Sequence, residues 1–195
     1  NYLKGKGRSL LGVDYSSAMI EYATQNYGGD ACQFRQADIC QPLDNDSAFD
    51  CIWIERVLHH IPDARLAVKM LCQHLQPGGR IAIAEPYIPS TIISPLLDED
   101  CQGFANRWSS HVANGTIGLT IQPVLRELGF TMSAQFGSMV VMNDYAHVSQ
   151  FIDISLFLQN QSDRYVQRQK DAWAQAAQAD NFMLAWPMIN MVFTC

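Results

Sequence analysis

The chain has 195 residues, 48% of them hydrophobic, with a formal net charge of −6 and a pI near 5.2. This composition supports one sizeable core, so a single domain is expected over residues 1–195. The acidic balance argues against nucleic acid or an anionic membrane surface as the main partner. The six cysteines form no C-x-x-C pair, which indicates reduced core thiols in a cytoplasmic protein without a metal site. No apolar run has the length of a membrane span, and residues 1–8 lack the apolar segment of a secretory signal.

Short apolar strands alternate with helical patterns up to residue 86, which predicts a parallel sheet flanked by helices. The first helix is expected to end at Gly28-Gly29, where glycine can take the left-handed cap conformation, and the second at the Pro-Gly-Gly run. The predicted order is a strand over 9–14, a helix over 17–27, strands over 32–38 and 49–55, a helix begun by Asp63, and a strand over 80–85.

The signals are weaker beyond Pro86. Residues 87–115 are predicted to form a loop with short helices, of the kind that covers a pocket. Pro187 favours an edge position or a bulge for the strand that contains it. The elements predicted here are helices over 120–128, 145–158 and 162–179 and strands over 130–136 and 183–193.

Asp14 ends the first strand and is followed at once by a helix start, which is where dinucleotide-binding folds place an acid that accepts ribose hydroxyls. The alternative is that Asp14 caps the helix. In such folds a glycine-rich loop precedes the acid by about 20 residues, so the chain is expected to begin inside its own cofactor-binding unit. Gly5 and Gly7 form a lone G-x-G before that strand and are interpreted as a surface turn.

Four motifs in this order resemble class I S-adenosylmethionine-dependent methyltransferases of the small-molecule branch. The resemblance covers nearly the whole chain, and a final stretch around Trp186 and Pro187 resembles the last strand of that branch. The motifs are GVDYSSAM at 12–19, ADI at 37–39, FDCIWIERVLHH at 49–60 and LQPGGR at 75–80.

The resemblance implies a Rossmann-like, mostly parallel sheet flanked by helices, with S-adenosylmethionine as cofactor and a small molecule as methyl acceptor. Asp14 would bind the ribose hydroxyls, and Tyr15 and Met19 would flank the adenine. Asp38 would accept from the adenine amino group and Ile39 would cover the ring. Glu55 would lie near the methionine part of the cofactor, whereas no catalytic residue is assigned.

The family's first strand and its glycine-rich loop are absent from the predicted elements. In the family that strand lies between the strands that correspond to 9–14 and 49–55. Either the chain is an amino-terminally truncated piece, or these two strands pair directly and the usual cofactor mode is lost. An unpaired strand edge would favour self-association. Residues 87–180 would hold the acceptor pocket, whose aromatic residues favour an apolar or aromatic small molecule.

Each candidate residue also has a structural interpretation. Asp38 could be a turn residue, and Glu55 could form an ion pair with Arg56. His59 and His60 could accept a proton from the nucleophile, or could simply complete a loop. Trp53 is predicted to lie in the core.

Two other functional classes stay open. One is a non-catalytic methyltransferase remnant or interaction protein, suggested by the absent loop. The other is a nicotinamide-dependent oxidoreductase, since both classes place an acid after the second strand; Asp38 and the Pro77-Gly78-Gly79 run disfavour it.

Overall fold

A computed structural model describes residues 9–43, 48–98, 100–152, 158 and 161–195. Gly5 and Gly7 therefore lie outside the described residues, as does much of the predicted helix beyond residue 152. The elements, in chain order, are β1 (Leu10–Asp14), α1 (Ser17–Tyr27), β2 (Cys32–Gln36), β3 (Phe49–Glu55), α2 (Ala64–Cys72), β4 (Leu75–Pro86), β5 (Ile92–Ser94), α3 (Cys101–Ser110), α4 (Ile117–Thr120), α5 (Gln122–Glu127), β6 (Thr131–Met142), α6 (Tyr145–Phe151), α7 (Asp163–Gln178) and β7 (Met183–Thr194), with 3-10 turns at Leu58–His60 and Ile88–Ser90.

The first unit is β1–α1–β2, in which the two strands pair in parallel. Gly12 lies opposite Phe34, and a Cβ at Gly12 would come within 2.5 Å of the Phe34 ring, so the close approach of the strands requires glycine there. Ser16 caps α1, since its Oγ accepts from the Met19 N–H at 3.3 Å. Gly28 follows the helix with φ −61° and Gly29 has no positive φ either, so the expected left-handed cap is wrong. A Cβ at Gly28 would meet the Thr24 carbonyl oxygen at 2.4 Å.

The second unit is a five-stranded sheet in the order β3-β4-β7-β5, with β6 also paired to β7. β3 runs parallel to β4, whereas β7 runs antiparallel to β4, β5 and β6. The result is the Rossmann-like α/β arrangement expected from the sequence, with a mixed sheet in which every antiparallel pair of described strands involves β7.

The start of β4 and the position of β7 in the sheet differ from the predictions. β4 begins at Leu75 rather than at residue 80, because the Pro-Gly-Gly run is taken into the strand through a register shift against β3. β7 is an interior strand, so the edge position favoured by Pro187 is wrong. Pro187 lies where the β5 pairing ends at Ala185 and the β4 pairing begins at Met188, a point at which a strand can lack an N–H.

Two apolar cores hold the larger sheet. One lies between the sheet and helices α2, α4 and α5, and includes the fully buried Val68 and Leu125. The other packs α3 and α7 against the carboxyl half and is aromatic, with Trp173 beside Phe104 and Trp108 beside Trp186. None of the described helices is both long and apolar enough to cross a membrane.

The unit β1–α1–β2 contributes little to these cores. α1 has no buried residue, and Tyr22 on α1 is exposed. Trp53 on β3 is 64% exposed, so its assignment to the core is wrong. The reason is geometric: Cys51, Trp53 and Glu55 alternate onto one face of β3, and all three are exposed.

Candidate functional site

A cleft of about 290 Å³ separates β1 from β3. The two strands do not pair with each other, so the direct pairing considered from the sequence is not formed. The cleft is largely apolar, and Leu11 and Val13 line it from β1 while Ile52 and Ile54 line it from β3. Of the six residues predicted to bind the cofactor, Ile39 lines this cleft and the other five lie outside its lining.

Asp14 ends β1 and is exposed to solvent. Its Oδ1 accepts from the Ser16 N–H at 2.8 Å, which closes the turn into α1. The cap of the helix is Ser16, so the capping alternative for Asp14 is wrong. One carboxylate oxygen therefore shapes the turn, while Oδ2 faces no hydrogen-bond donor among the described residues.

Asp38 and Ile39 follow β2 directly. Asp38 Oδ1 accepts from the Cys40 N–H at 2.8 Å, as a turn residue does, and the side chain stays half-buried. Ile39 packs against the first apolar core at the cleft. Tyr15 and Met19 are 77% and 56% exposed, so the Tyr15 ring and the Met19 side chain can contact a ligand beside Asp14.

Glu55 is the last residue of β3. Its Oε1 lies 3.5 Å from the Arg56 Nε, which forms the ion pair considered from the sequence. Both side chains are about half exposed, so the pair contributes little to stability. Arg56 itself has φ 54°, in the left-handed region that costs a non-glycine residue ~1–3 kcal/mol. The chain therefore turns sharply at the carboxyl end of β3, and neighbouring contacts must hold it there.

Glu85, near the end of β4, is fully buried. Its Oε1 accepts from the N–H groups of Val57 and Leu58, both at 2.8 Å. Its Oε2 accepts from the His59 N–H at 3.3 Å and lies 2.8 Å from His59 Nδ1. Sequence reasoning missed this residue, although a lone acid inside a buried Ile/Ala strand signals such a network, because a buried charge needs partners.

His59 and His60 lie on the 3-10 turn that follows. His59 is buried, and its ring centroid is 3.8 Å from that of His60. Burial lowers the pKa of His60 below its ordinary value, neighbouring His59 lowers it further, and Glu85 opposes the shift. The Asn114 N–H donates to the His59 carbonyl at 3.0 Å, which ties the turn to the loop before α4.

Comparison with known proteins gives one family. Residues 1–83 match the model of a methyltransferase domain family. An uncharacterised protein carried on a transposon of Streptomyces fradiae is 31% identical over 162 residues, covering 80% of this chain and 45% of that protein. The ubiquinone/menaquinone biosynthesis C-methyltransferase UbiE of Francisella tularensis subsp. novicida is 32% identical over 102 residues, 48% of this chain and 39% of the enzyme.

Solved structures share the fold. The YcgJ protein of Bacillus subtilis superimposes with a TM-score of 0.59 at 19% identity, covering 96% of this chain and 82% of that one. The N-methyltransferase NodS of Bradyrhizobium japonicum, solved in complex with S-adenosylhomocysteine, gives a TM-score of 0.51 at 18% identity, covering 93% and 66%.

Residues 1–83 thus match the methyltransferase domain family, and the fold of the described residues is shared with solved methyltransferases. The chain spans less than half the length of these two curated relatives.

Proposed function

We propose that the protein transfers a methyl group from S-adenosylmethionine to a small-molecule acceptor. The observation that carries this proposal is the exposed carboxylate of Asp14 at the end of β1, immediately before a capped helix, with only Oδ1 engaged by the described residues. A carboxylate at that position accepts two ribose hydroxyls in nucleotide-binding α/β folds.

The adenosine half of the cofactor fits the residues described. Asp14 Oδ2 is available for the ribose, and exposed Tyr15 and Met19 stand beside it for the adenine. Half-buried Asp38 supplies an acceptor for the adenine amino group next to the apolar side chain of Ile39. Glu55 is the candidate for the charged methionine end. When bound, S-adenosylmethionine supplies a methyl group on a positively charged sulfur.

The acceptor is proposed to bind over residues 87–180, where α3, α6 and α7 enclose the aromatic core. The stretch shared with UbiE covers less than half of the chain, so that enzyme's quinone chemistry does not carry over by itself. A small apolar or aromatic acceptor fits the composition of this region, and the net charge of −6 disfavours nucleic acid as the acceptor.

The proposal is tested by incubating the native protein at its full length with S-adenosylmethionine labelled in the methyl group. A panel of phenols, quinols and amines serves as acceptors, and product formation is followed by chromatography. Transfer to at least one acceptor, together with calorimetric binding of S-adenosylhomocysteine, is expected. Binding of NAD in place of S-adenosylhomocysteine would favour the oxidoreductase, and binding of S-adenosylhomocysteine without transfer to any acceptor would favour a non-catalytic protein.

A further inference from the structure

The strand β6 lies at an edge of the larger sheet, because among the described strands it pairs with β7 alone. It runs over 12 residues, most of which are exposed. The side chains of Phe136, Met139 and Val141 are each more than half exposed. The outer edge of β6 therefore presents unpaired backbone N–H and C=O groups beside apolar side chains.

This edge lacks the features that usually protect an outer strand, which are charged side chains, proline or a bulge along the edge. The sequence of β6, from Thr131 to Met142, contains no Asp, Glu, Lys, Arg or Pro. Its bulge lies near the start, between Met132 and Ala134, and residues 134–142 then pair with β7 in unbroken register. A partner strand can therefore pair with this regular, uncharged stretch.

The absence of charge on β6 favours a second copy of the same chain as the partner. The chain has a net charge of −6, so two copies repel where charged surfaces meet, but β6 brings no charge to the contact. A basic peptide would find no carboxylate on this edge with which to pair. Self-pairing about a two-fold axis also covers both edges at once, so neither is left open.

We propose that β6 pairs antiparallel with β6 of a second copy, about a two-fold axis at Ser138. This residue is the middle of the regular stretch 134–142, so the register uses the whole stretch. Met139 then lies opposite Gly137 of the partner subunit, on the same face of the joined sheet. Apart from its chain neighbours, a Cβ at Gly137 would have no neighbour closer than a carbonyl oxygen 4.0 Å away, so there is room for the Met139 side chain.

The dimer leaves the proposed cofactor site open. In the larger sheet, β4 and β7 lie between β6 and β3, and the paired strands β1 and β2 form a separate sheet. The proposal is therefore independent of the methyltransferase function. A single strand pair is small beside the roughly 800 Å² per partner of a standard interface, so the dimer is expected to dissociate on dilution.

The test changes Ser138, because a side chain on the two-fold axis faces its own copy. Ser138→Lys and Ser138→Glu should each raise the dissociation constant of the dimer at least tenfold, since like charges directly opposite each other repel. An equimolar mixture of the two variants should return it to within about threefold of wild type, as a Lys/Glu heterodimer. Sedimentation velocity at several protein concentrations measures the constants, and native mass spectrometry identifies the heterodimer.

Met139→Lys is a second disrupting variant, which leaves the hydrogen bond from Asn190 Nδ2 to Ser138 Oγ in place and should also weaken the dimer at least tenfold. Ser149→Lys is the matched control, because Ser149 is exposed on α6 and its replacement should leave the constant within about twofold of wild type. Circular dichroism establishes that each variant is folded.

A wild-type chain that stays monomeric at every concentration would overturn the proposal and leave the β6 edge for a different partner. Association that survives both Ser138→Lys and Met139→Lys would also overturn it, and would place the contact on another surface, such as the open edges of β1 and β3. Folded Lys and Glu variants that do not form a heterodimer when mixed would contradict the two-fold axis at Ser138.

Discussion

The residues that matter most for ligand binding here are polar groups with spare hydrogen-bonding capacity. Asp14 uses one oxygen for its own turn and keeps the other exposed, whereas every oxygen of Glu85 is engaged inside the protein. The exposed oxygen of Asp14 can bind a ligand reversibly, whereas the buried carboxylate of Glu85 stabilises the protein's own structure. Two carboxylates of similar chemistry are thus assigned different roles by burial.

Replacing Asp14 with Ala should weaken binding of S-adenosylhomocysteine by on the order of 2–3 kcal/mol, because hydrogen bonds to a charged acceptor are strong. That corresponds to roughly 30-fold to 150-fold in Kd by calorimetry. The free energy of unfolding should change little, since Ser16 carries the cap.

Ser16→Ala is the companion variant. It should destabilise the protein by about 1 kcal/mol through loss of the cap, with little effect on Kd. If Asp14→Ala bound normally but melted much earlier than Ser16→Ala, the carboxylate of Asp14 would be structural.

The Cys72 thiol should react slowly. Burial raises the pKa of Cys72 to about 11, and the nearby Cys195 adds to the shift. Against the ordinary value of 9.0, roughly 100-fold fewer Cys72 side chains are thiolates at pH 8, and the thiolate is the reactive form.

Exposed Cys51 should therefore be alkylated by iodoacetamide much faster than Cys72, as followed by peptide mass spectrometry. Equal rates at the two cysteines would show that α2 opens readily or that the Cys72 thiol is not shielded as described.

At the scale of elements, strongly patterned segments could be predicted from the sequence. α1 and β3 have the predicted bounds, because capping residues, glycines and apolar periodicity all agree there. The bounds of β4 were not predictable, because local rules make a Pro-Gly-Gly run a terminator and only pairing with β3 draws it into the strand. The prediction that Trp53 lies in the core was wrong because its burial depends on long-range packing against the sheet, which local sequence patterns do not encode.

The helix α5 is short but contributes a fully buried side chain to the first apolar core. Leu125 is fully buried against that core, so Leu125→Ala should cost about 2–5 kcal/mol of unfolding free energy through lost burial and a residual cavity.

Leu119→Ala on neighbouring α4 is the control, since Leu119 is exposed and its truncation should change stability by about 0.5 kcal/mol or less. Chemical denaturation of both variants measures the difference. Similar costs for the two would mean that α5 does not pack as described.

At the scale of the whole molecule, the candidate site was predicted in part. Asp14, Asp38 and Glu55 lie at the carboxyl ends of their strands or just beyond, as expected, and their role in binding S-adenosylmethionine stays a prediction. The cleft between β1 and β3 depends on long-range pairing, which local patterns do not encode. Glu85 was missed because its four partners come from another segment of the chain.

The cleft leaves β1 and β3 each with an edge that no described strand pairs. Unpaired edges beside apolar side chains such as Ile52 and exposed Trp53 favour association between chains. The 195-residue chain should therefore sediment as a concentration-dependent mixture of monomers and larger species. A Lys placed at Cys51 on the β3 edge should shift that mixture toward monomer, whereas a Lys at exposed Cys101 should not. A sedimentation profile independent of concentration would contradict this.

The carboxyl ends of β1 and β2 are proposed to form the adenosine half of an S-adenosylmethionine site. Among the described residues, no glycine-rich loop meets the charged methionine end, so the 195-residue chain should bind in about the millimolar range rather than the micromolar range. The most direct measurement is a titration of the ¹⁵N-labelled chain with S-adenosylhomocysteine, followed by backbone amide NMR. Saturable shifts at Asp14, Tyr15, Asp38 and Ile39 with a millimolar Kd are predicted. Shifts produced by NAD but not by S-adenosylhomocysteine, or none at these four amides, would contradict the claim.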